Sequence, residues 1–89
     1  MKKIPNLTKS WVIYLLECKD GTWYTGITND LEKRLDSHNA GLGAKYTRGR
    51  GPVKLIEFKE MANHSEALRA EYQVKKLPRP KKIQFFKSA

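Results

Sequence analysis

The chain has 89 residues, room for one domain that buries only about 60–65% of the surface its unfolded form exposes. Eighteen Lys and Arg against nine Asp and Glu leave a formal charge of +9, which points to polyanionic partners, nucleic acid first and an anionic membrane second. The single cysteine, Cys18, excludes an intrachain disulfide and a cysteine zinc site and fits a reducing cytoplasm, and the apolar run Trp11 to Leu16 is too short to cross a bilayer.

Residues 1–9 read as a frayed start and residues 10–89 as one domain. Trp11-Val12-Ile13-Tyr14-Leu15-Leu16 is aromatic and β-branched with almost no alternation, which predicts a central strand covered on both faces. Lys19-Asp20-Gly21 is a hairpin signal, and Thr22 to Thr28 is the returning strand. Asn29-Asp30-Leu31-Glu32 has the form of a capping box with Asn29 as N-cap, predicting a helix from about Asp30 to Ala40 that Gly41 ends. Leu42 to Pro52 is a glycine-rich basic loop. Val53 to Lys59 reads as a third strand, alternating Val53, Leu55 and Glu57 against Lys54, Ile56 and Phe58. Asn63 caps a second helix through about Leu77, Pro78 and Pro80 break it, and a last short helix holds Ile83 to Phe86. The expected fold class is α+β, a three-stranded antiparallel sheet flanked by helices in the order β-β-α-β-α(-α).

Val12-Ile13-Tyr14, then Tyr24-Thr25-Gly26, then Arg34, His38 and Glu71 together resemble the GIY-YIG endonuclease superfamily, over nearly the whole chain from about Trp11 to Leu77. The stretches RLDSHNAGLGAKYTRGRGP and EALRAEYQVKKL are similar to those of its small stand-alone bacterial members. Val12 stands where the motif has its first glycine and Thr25 where it has isoleucine. No asparagine follows Asn63, whereas many members carry one after the glutamate helix. The resemblance implies a nuclease that hydrolyses DNA phosphodiester bonds with Mg²⁺ or Mn²⁺, at branched or damaged structures in repair or recombination. Tyr14 would be the general base, Tyr24 a phosphate-pocket residue, Arg34 the transition-state cation, His38 the group that takes or orients the proton of a tyrosine, and Glu71 the metal ligand.

Each assignment has a plainer alternative. Ala67, Leu68, Val74 and Leu77 form the apolar side of the second helix, and Glu71 falls among them, where a carboxylate must be paired or metal-bound. A salt bridge to Arg34 or Arg69 would satisfy it as well. Arg34 and His38, four apart, interleave with Leu31 and Leu35, so this helix face is half core and half site. Arg34 could equally pair with Glu71 or Asp36, and His38 could serve the helix end. Gly26 would admit close approach of backbone or substrate, or ease a bend. Lys45, Tyr46, Arg48 and Arg50 in the glycine-rich loop, with Lys75 beyond, suit backbone contact and base stacking on nucleic acid, against the alternative of a solvated loop.

Geometry gives one sharp expectation. A two-residue turn at Asp20-Gly21 would put Tyr14 and Tyr24 on opposite faces, whereas a type I turn with a glycine bulge pairs Tyr14 with Gly26 and Tyr24 with Leu16 on one face. The nuclease reading requires the bulged turn, which is the one expected here. The rival reading is a catalytically inactive nucleic-acid-binding module that retains the fold. The partners expected are DNA or RNA and a targeting protein, with no membrane and a monomeric chain.

Overall fold

The apolar run near the start of the chain becomes the middle of the sheet. In the computed structural model, which describes residues 10–43 and 47–87, β1 (Val12–Glu17) lies between β2 (Trp23–Thr28) and β3 (Lys54–Glu60), antiparallel to both. Val12 through Leu16 are at most 1% exposed, so this strand is covered from both sides, each apolar side chain contributing about 1.5–3 kcal/mol. On one face Val12, Tyr14 and Leu16 pack with Leu31 and Leu35 of α1 (Leu31–Asn39). On the other, Ile13 and Leu15 pack with Ala70 and Val74 of α2 (His64–Lys75) and Phe86 of α3 (Arg79–Lys87). The fold is α+β in the order β-β-α-β-α-α, as the sequence predicts. Residues 1–9, expected to fray, lie outside the described residues.

The hairpin takes the bulged form. Gly21 N donates to Cys18 O at 2.9 Å and Cys18 N to Thr22 O at 2.8 Å, with Gly21 at φ 84°, a left-handed conformation that suits glycine. Asp20 Oδ1 accepts from Thr22 N and Thr22 Oγ1 at 3.1 and 2.6 Å and holds the turn shut. The register is therefore Tyr14 opposite Gly26 and Leu16 opposite Tyr24, with both tyrosines on the α1 face.

Three local expectations shift. The α1 cap is Asp30, one residue later than expected, because the Thr28 hydroxyl accepts from Asp30 N at 3.0 Å and the Asp30 carboxylate is left to accept from Lys33 N at 3.2 Å. In β3, a bulge opposite the Leu15–Leu16 step inserts Ile56, so Phe58 joins Leu55 on the α1 face instead of alternating away from it. The second helix does break before Pro78, but the last helix starts at Arg79, earlier than the expected Ile83, and so takes in Pro80. Pro80 sits in the first turn of α3, where a missing N–H costs nothing, and Lys81 N and Lys82 N both donate to Pro78 O at 3.0 Å. Elsewhere the caps stand where expected: Asn63 Oδ1 accepts from Glu66 N at 2.9 Å, and Gly41 at φ 78° closes α1 with Leu42 N donating to Ser37 O.

Candidate active site

α1 brings two polar side chains down onto the sheet. Leu31 and Leu35 anchor it on Leu16 and its neighbours, and the helical repeat then points Arg34 and His38 at the phenol of Tyr14 on β1. His38 Nε2 lies 2.9 Å from Tyr14 Oη, and Arg34 Nε donates to the same oxygen at 3.4 Å. Tyr24, two residues before Gly26 on β2, completes an aromatic cluster: its ring centroid is 6.3 Å from that of Tyr14 and 5.4 Å, edge-on, from that of His38. Tyr14 and His38 are 0% and 1% exposed.

The second nitrogen of His38 is occupied as well. Nδ1 lies 2.7 Å from Thr47 Oγ1, and Thr47 is also buried. With Arg34 donating to the phenol oxygen, one arrangement that satisfies every group has Tyr14 donating to His38 Nε2 and His38 Nδ1–H donating to Thr47. A line of hydrogen bonds thus runs from the Tyr14 phenol through the imidazole into the loop after α1.

Glu71 comes from α2, across the β2 side of the sheet, and its charge is near enough to oppose ionisation of Tyr14. Its side chain is 21% exposed and pairs with Lys75 Nζ at 3.3 Å, one turn along the same helix. Neither partner expected for it, Arg34 or Arg69, takes that place; Arg69 pairs with Glu66. The helix is also rotated from the expected apolar side. Ala67, Ala70 and Val74 are buried while Leu68 is 46% exposed, so Glu71 flanks the apolar stripe instead of lying within it, which is what leaves its carboxylate open to solvent.

A model of the GIY-YIG catalytic domain matches residues 10–84. The chain belongs to the GIY-YIG family. Among curated proteins it is 57% identical to the UPF0213 protein CPE1444 of Clostridium perfringens over 85% of this chain and 82% of that one. It is 51% identical to the UPF0213 protein YazA of Bacillus subtilis over 84% and 76%. Among solved structures, the solution structure of EF2693 from E. faecalis is similar at 46% identity and a TM-score of 0.62, covering 89% of this chain and 84% of the other. That of the UPF0213 protein BH0048 from Bacillus halodurans has 51% identity and a TM-score of 0.53, covering 85% and 81%. GIY-YIG domains are typically endonucleases, and of the motif stretches here Tyr14, Tyr24 and Gly26 are gathered on the α1 face.

Burial sets the electrostatics of this GIY-YIG site. Desolvation pushes the Tyr14 phenol up from 10.0 to about 12, outweighing the hydrogen bond from Arg34 that favours the phenolate. His38 is pulled down from 6.5 to about 4, first by burial and then by the charge of Arg34, so the imidazole is neutral at physiological pH. The phenol hydrogen bonds raise Arg34 further above its ordinary value. The result is a neutral phenol hydrogen-bonded to a neutral imidazole beside a fixed cation, a contact along which a proton can pass to nitrogen when the phenol oxygen takes another in its place.

Gly26 serves a different neighbour from the one expected. A Cβ there would lie 2.5 Å from Tyr14 Oη and 2.9 Å from Tyr24 Cε2, so the space above it is filled by the two tyrosines themselves. Arg48 is exposed, while Arg50 is drawn back onto the hairpin, its guanidinium paired with Asp20 and its carbonyl accepting from Lys19 N at 2.8 Å. Lys75 reaches both Glu71 and the face of the Tyr24 ring, 5.9 Å from its centroid. Lys45 and Tyr46 lie outside the described residues. Sequence reading missed Thr47 and Gly43. The first looks like one more polar loop residue, and the second is a glycine whose Cβ would collide with the His38 ring. The signal available was local: a threonine nine residues after His38, beyond the glycine that ends α1.

Proposed function

We propose that the protein is a divalent-metal-dependent endonuclease acting on DNA, with the phosphodiester lodged between Arg34, Tyr24 and Glu71. The observation that carries the reading is that one phenol oxygen, Tyr14 Oη, contacts both His38 Nε2 and Arg34 Nε, with the partly exposed Glu71 carboxylate near enough to act on the same phenol. Tyr14 takes the proton of the attacking water as it passes its own to His38, so the charge ends on the imidazole, where burial and Arg34 oppose it until the anionic phosphodiester stands alongside. Arg34 stands against the charge that develops on the phosphate. Thr47 keeps the imidazole in the accepting tautomer.

Among the described residues no group of three or more His, Cys, Asp or Glu is placed to cage a metal. The donor chemistry fits a hard cation held by the Glu71 carboxylate, with water and substrate oxygens completing its shell. Bound there, Mg²⁺ or Mn²⁺ would neutralise phosphate charge and stabilise the leaving oxygen. Preference for branched or damaged DNA, a role in repair, activity on RNA and a targeting partner belong to the same reading as consequences for a small basic domain with few base-reading elements.

A second reading, a nucleic-acid-binding module without turnover, draws on the complete burial of Tyr14. Under the nuclease reading the half-exposed Arg34 side chain, which covers the phenol oxygen, shifts its hydrogen bonds to the phosphate and so opens that oxygen to the water. Purified protein incubated with branched and single-stranded DNA plus Mg²⁺, beside Glu71→Ala and Tyr14→Phe, separates the two. Cleavage by the wild type alone is expected. Equal cleavage by all three would reveal a contaminant, and metal-independent binding without turnover on every substrate would leave the inactive module.

A further inference from the structure

Beside the tyrosine cluster, on the outer side of β2, a groove of about 320 Å³ is lined by Trp23, Tyr24, Thr25, Lys75 and Lys82. Its volume is at the small end for ligand sites, room for one nucleotide unit and too little for a duplex. Three elements build it: β2 supplies the floor, the last turn of α2 supplies Lys75, and α3 supplies Lys82. It adjoins the candidate active site through two shared residues, Tyr24, whose ring meets His38 and Tyr14, and Lys75, whose ammonium pairs with Glu71.

Among the described residues no acidic side chain lines this groove. Lys82 is half-buried in its wall and donates to Val74 O at 2.7 Å, which leaves two of its three N–H groups uncommitted. Among the described residues it has no carboxylate partner. Burial lowers its pKa, the mark of a cation that has given up water without receiving a counter-charge. Nearby, the Arg79 guanidinium covers the Trp23 ring at 4.4 Å and donates to Gly21 O, fixing the aromatic wall.

We propose that this groove binds the phosphodiester immediately next to the scissile one on the cleaved strand, with Lys82 as its contact and Lys75 as the bridge between the two phosphates. The inference rests on the reading of the Tyr14–Arg34–Glu71 pocket as a phosphodiester site. A strand that offers one phosphate to that pocket must lay its neighbour within a nucleotide's length, and the adjoining concavity is cationic, aromatic and free of acids. The wall is rigid because β2, α2 and α3 are packed on one core, so the contact sets the register of the strand as well as adding affinity.

Binding of fluorescent single-stranded oligonucleotides is measured without added metal, so that cleavage plays no part. Lys82→Met is expected to raise Kd about fivefold and to reduce the slope of log K against log salt by about 0.7, the value for one contact on a single strand. Lys82→Arg, which keeps the charge, is expected to bind like the wild type. Oligonucleotides carrying one neutral methylphosphonate at successive positions locate the contact. One position should weaken wild-type binding by a similar factor and have little effect on Lys82→Met. If neutralising every phosphate in turn weakens both proteins equally, or if Lys82→Met binds normally, the proposal is overturned. Should Lys82→Met fail to fold through loss of its bond to Val74, Lys75→Met is read in the same series and must show coupling at that position or the next. Coupling without metal-dependent cleavage would uphold the groove and remove the nuclease reading. Cleavage without coupling would do the reverse.

Discussion

Tyr14 lies over Gly26, its partner across the β1–β2 ladder, with the phenol where a Cβ on Gly26 would stand. The demand on Gly26 is for space, since no left-handed backbone conformation is required of it. Gly26→Ala would press on Tyr14 Oη, Tyr14 Cζ and Tyr24 Cε2 together. Overpacking of this kind costs about 1–3 kcal/mol. A domain of this size should then lose roughly 4–8 °C of melting temperature per kcal/mol, and cleavage should fall with it as the phenol leaves His38. An unchanged melting temperature would show that the tyrosines have other room to occupy.

Acid should weaken the fold through His38. Its folded pKa is about 4 and its unfolded value 6.5, so between these pH values the unfolded chain holds a proton that the native state does not. The stabilisation is therefore complete above the unfolded value and is lost as pH falls from about 6.5 toward 4. At 1.36 kcal/mol per pKa unit the full loss is about 3 kcal/mol. Urea midpoints measured across that window should fall with acid for the wild type and stay flatter for His38→Gln, which does not titrate. Parallel curves would place the acid sensitivity elsewhere.

Tyr14→Phe removes one oxygen and leaves His38 Nε2 buried without its partner, a cost of about 1–3 kcal/mol. The variant should stay folded and lose cleavage. It should also lose the highest-pH step in a spectrophotometric phenol titration, since burial holds Tyr14 near 12. A titration identical to the wild type would mean that another phenol carries that step.

The sequence made β1, the bulged hairpin and the shared face of Tyr14 and Tyr24 legible because each follows from short-range rules: an unbroken apolar run, a glycine at a fixed offset and the two-residue period of a strand. Arg34 and His38 followed from the helical repeat. The rotation of α2 did not, because Leu68 and Ala70 are both plausible core residues by type, and only the packing buries Ala70 and leaves Leu68 out. The β3 bulge was hidden for a similar reason, since inserting Ile56 changes no residue type in the alternating pattern but carries Phe58 to the other face. Thr47 was invisible because its role depends on how the loop after Gly41 folds back on His38.

Arg48 and Arg50, two residues apart, should differ as phosphate contacts. Arg48 is exposed and pairs with no acidic side chain among the described residues, whereas Arg50 is already matched to Asp20 across to the hairpin. A charge that has a partner releases less on meeting DNA. Arg48→Ala is expected to lower the salt slope of binding by about one and Arg50→Ala by clearly less. Equal slopes would mean that the Asp20 pair opens on binding and that the loop is re-aimed by its ligand.

Glu71 and Lys75 set up a competition that metal binding should expose. The ammonium stands 3.3 Å from one carboxylate oxygen and repels a cation arriving at the other, so metal binding is expected to loosen the Lys75 pair. An ion pair this exposed is worth at most about 1 kcal/mol, and Lys75→Met should tighten Mn²⁺ binding by about two- to fivefold. Glu71→Gln should abolish the specific component. Titration with Mn²⁺ followed by electron paramagnetic resonance reads both without any turnover. If Glu71→Gln binds Mn²⁺ as the wild type does, the ion is held elsewhere, and Glu71 is left as the helix-surface partner of Lys75.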